Sequence, residues 1–428
     1  MGAPALRIGL LGCGNVGSQV ARLLTEHAAD LAARSGTGLE LVGVAVRDLG
    51  RDRPGIDPAL LTDDAAGLVD RSDVVVELMG GLEPARTLVL QAIRAGASVV
   101  TGNKALLAQH GPELFAAADA AGVDLHFEAA VAGAVPVVRG VRESLAGDRV
   151  LRVVGVVNGT TNFVLDRMTT HGVDLAAALA EAQELGYAEA DPSSDVDGAD
   201  AAAKIAILAS LAFHTRVSLA DVTRDGIREI RPADVAAARE QGHVVKLLAI
   251  AERVGDDAVA VRVHPALLPL DHPLAAVHGP FNAVVVEAEA AGRLMFYGAG
   301  AGGQQSASAV LGDVVAAARH RVLGGKSPSE SAYADLRVAG PEEVRTRYLV
   351  RLRVDDRPGV LAQIAAGVAA RGVSIETVRQ SVGDGGAIAL LTVVTHAASE
   401  EALAATARDL AELEPVQAVL SVLRVEGT

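Results

Sequence analysis

The chain has 428 residues, which suggests two or three domains with ample core. Half of it is hydrophobic, much of that alanine, and aromatics are only 2%, which argues against broad aromatic-lined surfaces. The net charge of −15 speaks against a nucleic-acid partner, which needs clustered cations, and no apolar run reaches the length of a membrane span.

A single cysteine, Cys13, leaves no intrachain disulfide and no cysteine-based metal site, so a reducing, cytoplasmic location is expected. The apolar stretch ahead of it is too short for a secretion signal. Residues 6–11 instead read as a short strand running into Leu11-Gly12-Cys13-Gly14-Asn15-Val16-Gly17, followed by a helical pattern to about residue 33. Glycines in G-x-G-x-x-G spacing between a strand and a helix let the backbone turn tightly and approach a pyrophosphate that faces the helix N-terminus.

Strands at 39–46, 73–76, 97–101 and 123–127 alternate with helices at 84–95 and up to 121, which predicts a parallel, doubly wound α/β sheet. The second strand ends at Arg47, with Asp48, Arg51 and Arg53 close behind. A cation at that tip suits the extra phosphate of NADP, while Asp48 keeps NAD open. Thr101-Gly102-Asn103-Lys104 lies just past a strand's carboxyl end, where such sheets bind ligands, so Lys104 is a candidate to meet cofactor or substrate. Glu128, near the turn Val131-Ala132-Gly133-Ala134-Val135, offers a carboxylate beside carbonyls, the donors a hard cation takes.

The pattern changes after residue 149. A strand at 150–157 leads into the polar loop Asn158-Gly159-Thr160-Thr161-Asn162, and a helix at 175–185 leads into a carboxylate-rich loop from Gly186 to Pro192. Ser194 with Asp197 resembles a capping box for the helix that follows. That helix is apolar on nearly every side, yet Asp200 and Lys204 lie four apart on one face. A satisfied core ion pair is one reading and a reactive pair the other; Asp195 and Asp197 suit the helix dipole regardless. Strands near 243–253, 259–264, 283–288 and 292–297 suggest a second α/β layer. His214, His243, His264, His272 and His278 lack ligand spacing. Gly298 to Gly303 is a second glycine turn before a helix to about residue 318; the turn reads either as close backbone approach, with the helix packing back on the nucleotide fold, or as a flexible hinge.

Residues 324–345 read as a linker. The last eighty residues follow the order β-α-β-β-α-β, with strands at 348–354, 373–381, 387–395 and 416–425, helices at 360–371 and 399–410, and a turn at Gly383–Gly386. This is a ferredoxin-like split motif.

The first 320 or so residues resemble homoserine dehydrogenase, through GLLGCGNVG, TGNKALLA, EAAVAGAVPVV, VVNGTTNF, AQELGYAEADPSSDVDGADAAAKIAILA and GAGAGG in the family's order. The C-terminal motif resembles an ACT domain. The resemblance implies a Rossmann-type NAD(P)-binding domain over 1–135, completed by 304–322. It further implies a substrate and dimerisation domain over 136–323, a linker over 324–346 and an ACT domain over 347–428. It implies reduction of L-aspartate 4-semialdehyde to L-homoserine with NADPH or NADH, in threonine, methionine and isoleucine biosynthesis. Lys204 matches the proton donor, Asp200 and Glu189 match substrate-site residues, and Lys104 matches a lysine that reaches the cofactor and reacting centre. Thr160, Gly186 and Asp195 join the implied substrate site. Leu11, Gly12, Gly14, Asn15, Val16, Gly17, Arg47, Thr101, Lys104, Gly186 and Gly302 join the cofactor site. Glu128, Val131, Gly133 and Val135 match positions that hold a sodium ion. One departure is that Gln304-Gln305-Ser306 stands where the family usually has a proline and a threonine. The implied effector is L-threonine, bound near Asp356 to Leu361, and the implied assembly is a homodimer or homotetramer. Two other readings stand beside this one: another NAD(P)-linked amino-acid dehydrogenase, and an amino-acid sensor with a vestigial catalytic half.

Overall fold

The computed structural model describes residues 4–382 and 387–427, so the expected turn at Gly383–Gly386 lies outside the described residues. The chain divides into two compact units. One holds Met1–Gly159, Ala199–Thr223 and Pro280–Leu336; the other holds Thr160–Gly198, Arg224–Gly279 and Arg337–Thr428.

In the first unit, β1 (Leu6–Leu11), β2 (Leu39–Ala45), β3 (Leu61–Thr62), β4 (Val74–Glu77), β5 (Ser98–Thr101) and β6 (Leu125–His126) form a parallel sheet in the order 3-2-1-4-5-6. Helices α1 (Asn15–Glu26), α2 (Ala28–Ser35), α3 (Ala65–Asp70), α4 (Ala85–Arg94) and α5 (Lys104–Ala121) connect the strands. The strands carry no polar alternation because helices cover both faces. Ile8, Leu10, Val74 and Val76 pack into one core, and Leu11, Val75 and Val99 into another with Leu88, Leu106 and Leu114. The strand order reverses between β1 and β4, so a crevice opens at the carboxyl ends there.

The same unit contains β7 (Val150–Val156), the helix α6 (Ala199–Phe213), and strands β8 (Phe281–Ala288) and β9 (Gly292–Ala299), which run antiparallel in the order β9-β8-β7. The last helix, α7 (Gly303–Leu323), places Ala307, Val310, Val314 and Ala318 in the core of β1 and α1. It returns to the nucleotide fold, the first of the two readings of the glycine turn. Each fully buried valine on that face contributes on the order of 1.5–3 kcal/mol.

Three expectations change. The helical run after the first glycine loop is two helices, because His27 adopts φ −108 and ψ 20 between α1 and α2. The strand expected at 123–127 is only Leu125–His126. The third change concerns the expected capping box at Ser194. Ser193–Val196 is a separate short helix, and Gly198 at φ 75 breaks the chain before α6 begins. A left-handed residue cannot continue a right-handed helix. Asp197 turns to pair with Arg228 instead.

In the second unit, His243–Val254 and Ala258–Pro269 form a long antiparallel pair. The helices Gly159–His171 and Leu175–Glu184 precede it in the chain. The C-terminal segment has the β-α-β-β-α-β order: Arg345–Asp355, Val360–Ala370, Ile375–Val382, Ile388–Thr395, Glu400–Ala411 and Val416–Val425. Its core includes Leu352, Ile364, Leu391, Leu403 and Leu410. Its last strand joins Ala258–Pro269 in parallel, Ala266 opposite Arg424. The linker contributes a strand of its own, Arg337–Val338, beside Ala258 and Val259. No helix among the described residues is long and apolar enough to cross a membrane.

Candidate active site

The cofactor cradle follows from three glycines. Gly12 has φ +99, and a Cβ there would stand 2.7 Å from the Leu78 carbonyl oxygen. A Cβ on Gly17 would stand 2.2 Å from the Gly12 carbonyl oxygen, so only glycine lets α1 start this close to β1. Gly14 meets nothing within 4 Å, which leaves space above the loop. It caps α1 without any side-chain hydrogen bond, and the first turn has no acidic residue. The helix N–H groups thus face that space unopposed, the arrangement that accepts a phosphate. The second glycine turn adjoins it: a Cβ on Gly303 would stand 2.6 Å from the Asn15 carbonyl oxygen. Gly302, at φ +131, closes that turn and caps α7. These residues fit a dinucleotide.

Arg47 is exposed just past β2. Arg53 reaches back to the glycine loop: burial raises the Cys13 thiol above its ordinary range, and the Arg53 guanidinium partly offsets this. Cys13 is half-buried and free.

Thr101-Gly102-Asn103-Lys104 is built by its own hydrogen bonds. The Thr101 hydroxyl donates to Glu77 at 2.6 Å and accepts the Asn103 N–H at 3.0 Å. The Asn103 side chain accepts the Leu106 N–H at 3.1 Å, capping α5. Lys104 is therefore held as the first residue of that helix.

Lys104 and Lys204 meet on one carboxylate. Lys204 Nζ lies 2.7 Å from Asp200 Oδ2, and Lys104 Nζ lies 2.8 Å from Asp200 Oδ1. Asn158 Nδ2 donates to Asp200 Oδ2 at 2.9 Å. Lys204 also donates to the Val157 carbonyl at 2.7 Å, and Asn282 Nδ2 donates to that same carbonyl at 3.0 Å. Asp200 and the Lys204 side chain are buried, whereas the Lys104 side chain is 43% exposed. Burial alone raises the Asp200 carboxyl, but the Lys204 and Lys104 cations outweigh it and hold the group well below the usual carboxylate range. Two ammoniums on one carboxylate leave a net positive charge. An ammonium has three N–H donors, and Asp200 and Val157 take two of Lys204's.

Glu128 is also built in. Its carboxylate accepts the N–H groups of Val138 at 3.0 Å and Arg139 at 2.9 Å, while its own N–H donates to Asp313 at 2.8 Å. Asp313 is buried and takes Arg139 Nη2 at 2.7 Å. Burial, then the Asp313 charge, push Glu128 up to about 7. Gly133 turns at φ +59 under Gly300, and the Val135 carbonyl accepts the Val137 N–H at 2.8 Å. The Glu128 oxygens and the Val135 carbonyl thus each accept a backbone N–H, and the Asp313 charge is met by the Arg139 guanidinium.

Of the remaining expected residues, Thr160, Gly186, Glu189 and Asp195 belong to the second compact unit. The buried Thr160 hydroxyl donates to the Tyr187 carbonyl at 2.7 Å. Gly186 has φ +75 and open space above it, Glu189 is exposed, and Asp195 lies in the first turn of the short helix. Asn158, Asn282 and Glu77 join the site through the fold. Asn158 lies inside the VVNGTTNF motif, whereas Asn282 and Glu77 are strand residues with no local signal.

A doubly wound sheet with a glycine cradle and a lysine–carboxylate–lysine cluster defines the class, a nicotinamide-dependent oxidoreductase. Residues 12–128 match the family described as homoserine dehydrogenase, NAD binding domain; residues 136–315 match homoserine dehydrogenase, and residues 348–414 match the ACT domain. A homoserine dehydrogenase of Corynebacterium glutamicum is 55% identical over 99% of this chain and 96% of its own length. The crystal structure of a homoserine dehydrogenase from Thiobacillus denitrificans superposes with a TM-score of 0.93 at 38% identity, covering 99% of this chain and 98% of that one. A hyperthermophilic archaeal homoserine dehydrogenase in complex with NADPH superposes at 0.63 with 28% identity, covering 76% of this chain and 99% of that one. This chain belongs to the homoserine dehydrogenase family, and its reaction is the NAD(P)H-dependent reduction of L-aspartate 4-semialdehyde to L-homoserine.

Proposed function

We propose that Lys204 is the proton donor of this reaction and that Asp200 and Lys104 set its position and charge. Bound NADPH or NADH supplies a hydride to the aldehyde carbon. As that bond forms, negative charge grows on the aldehyde oxygen. The net positive charge of the two lysines stabilises it, and the oxygen takes a proton from Lys204 Nζ. The observation that carries this reading is the Lys204 ammonium itself: it is clamped by Asp200 and Val157 with one N–H left over. Glu189, with Asp195, Thr160 and Gly186, serves the substrate's ammonium end, on the strength of the family's pattern. Lys204→Ala tests the role: turnover is abolished while NADPH binding, read by fluorescence, persists. Normal kcat in that variant refutes it.

For the cofactor we favour NADPH. Arg47 at the end of β2 and Arg53 beside the glycine loop supply cations for an extra phosphate, and the archaeal relative is described with NADPH. Leu11, Gly12, Gly14, Asn15, Val16, Gly17, Thr101 and Gly302 line its cradle. A sodium ion at Glu128, with carbonyls of Val131, Gly133 and Val135, is the proposed metal, on the strength of the family's pattern and the Glu128 carboxylate. For the ACT domain the proposed effector is L-threonine, and the proposed assembly is a homodimer or homotetramer. The lone, half-buried thiol suits a cytoplasmic setting.

A further inference from the structure

Away from the lysine cluster, Asp124, His126 and His320 bring three potential ligand atoms within 4.8 Å of one another. Asp124 stands at the amino-terminal end of β6, whereas Thr101–Lys104 leaves the carboxyl end of β5. Asp124 immediately precedes β6 and His126 ends it, and the two side chains meet on one side of the chain. His320 comes from the last turns of α7, nearly two hundred residues along the chain. Its Nδ1 lies 3.0 Å from Asp124 Oδ2, and His126 Nε2 lies 3.8 Å from that same oxygen. The two imidazoles stack with centroids 5.9 Å apart and planes 25° apart.

His126 is 4% exposed, and its Nε2 has no hydrogen-bond partner. A buried imidazole nitrogen left without a partner forfeits its hydration, so the position is unfavourable unless something binds there. The carboxylate is already oriented: Asp124 Oδ1 accepts the Ser327 N–H at 2.6 Å. That is the kind of outer hydrogen bond that fixes a metal-binding carboxylate. The His320 side chain is about a third exposed, which leaves an entry path from solvent.

We propose that Asp124, His126 and His320 form a binding site for a zinc-like divalent ion, with two imidazole nitrogens and one carboxylate oxygen as protein ligands. Such an ion bonds nitrogen and oxygen at about 2.0–2.2 Å, so the cluster needs only a small closure around it. The ion ties β6 to the end of α7 and, through Asp124, to Ser327 at the start of the linker. Its role is that of a clamp, and it takes no part in the hydride or proton step.

The test uses the full-length chain, stripped with a chelator and then titrated with Co²⁺. The expected result is a saturable visible band from one four-coordinate ion per chain, bleached by added Zn²⁺. His320→Gln removes a ligand from a partly exposed position where the fold survives, and His126→Phe keeps a ring in the core. Each should weaken uptake by more than the roughly 10–100-fold that loss of an outer-shell partner costs. Zn²⁺ should also raise the Tm of the parent chain and leave that of His320→Gln unchanged. The absence of a saturable band, or equal uptake by the parent and both variants, overturns the proposal and leaves the cluster a hydrogen-bonded tie.

Discussion

Asp200→Asn keeps the size of a buried side chain and removes the one negative charge that two lysines share. Three donors converge on that carboxylate, at 2.7, 2.8 and 2.9 Å, and the residue is 6% exposed. Breaking a buried ion pair by removing one partner costs about 3–5 kcal/mol, because the other charge stays buried and unpaired. Lys104 is half in water and swings out, so the penalty falls on Lys204 and the lower end applies, about 3 kcal/mol. Urea denaturation at pH 7 reads this directly. The pH dependence has a defined sign. The folded Asp200 carboxyl is depressed, so its contribution is present above the unfolded range near about 4 and is lost as acid titrates the folded group. The variant should lose that acid limb. Its kcat should fall about 100-fold or more, the scale of one lost preorganised electrostatic partner, with the NADPH Kd little changed. A variant with the parent's urea midpoint and a kcat within threefold would refute the account of Asp200 as the shared anchor.

Three further outcomes follow from the geometry. Gly303→Ala puts a methyl 2.6 Å from the Asn15 carbonyl and should weaken NADPH binding at least about tenfold in a fluorescence titration, with the C-terminal segment unaffected. Arg47→Ala should raise the KM for NADPH about tenfold and leave that for NADH nearly unchanged, if Arg47 holds the extra phosphate. Glu128 is raised to about 7 in the folded chain, so its charge lowers stability increasingly as pH climbs from about 4.3 towards that value. Sodium in place of choline should therefore raise Tm at pH 8 and not at pH 5, and Glu128→Gln should abolish the difference.

Much of this molecule was legible as local pattern. The glycine cradle, the apolar parallel strands and the split β-α-β-β-α-β motif are each written in a run of neighbouring residues. So is the pairing of Asp200 with Lys204, because four residues is one helical turn. Lys104's place on the same carboxylate was not legible, since it joins residues almost a hundred positions apart on separate helices. Asn282 and the partnership of Asp124 with His320 were hidden for the same reason: long-range packing alone creates them. The start of the Lys204 helix was misread because Ser194 and Asp197 have the right spacing for a cap, while the deciding residue was Gly198, whose left-handed φ splits the segment. His27 breaks another helix without glycine or proline to announce it.

The claim that Lys204 delivers the proton is tested most directly by one assay, NADPH oxidation with L-aspartate 4-semialdehyde, run on the parent chain and on Lys204→Met at saturating substrate. The account predicts a loss of at least about 1,000-fold in kcat, or roughly 4 kcal/mol of transition-state stabilisation, with NADPH still bound. A kcat within tenfold of the parent would contradict it and move the proton-donor role elsewhere.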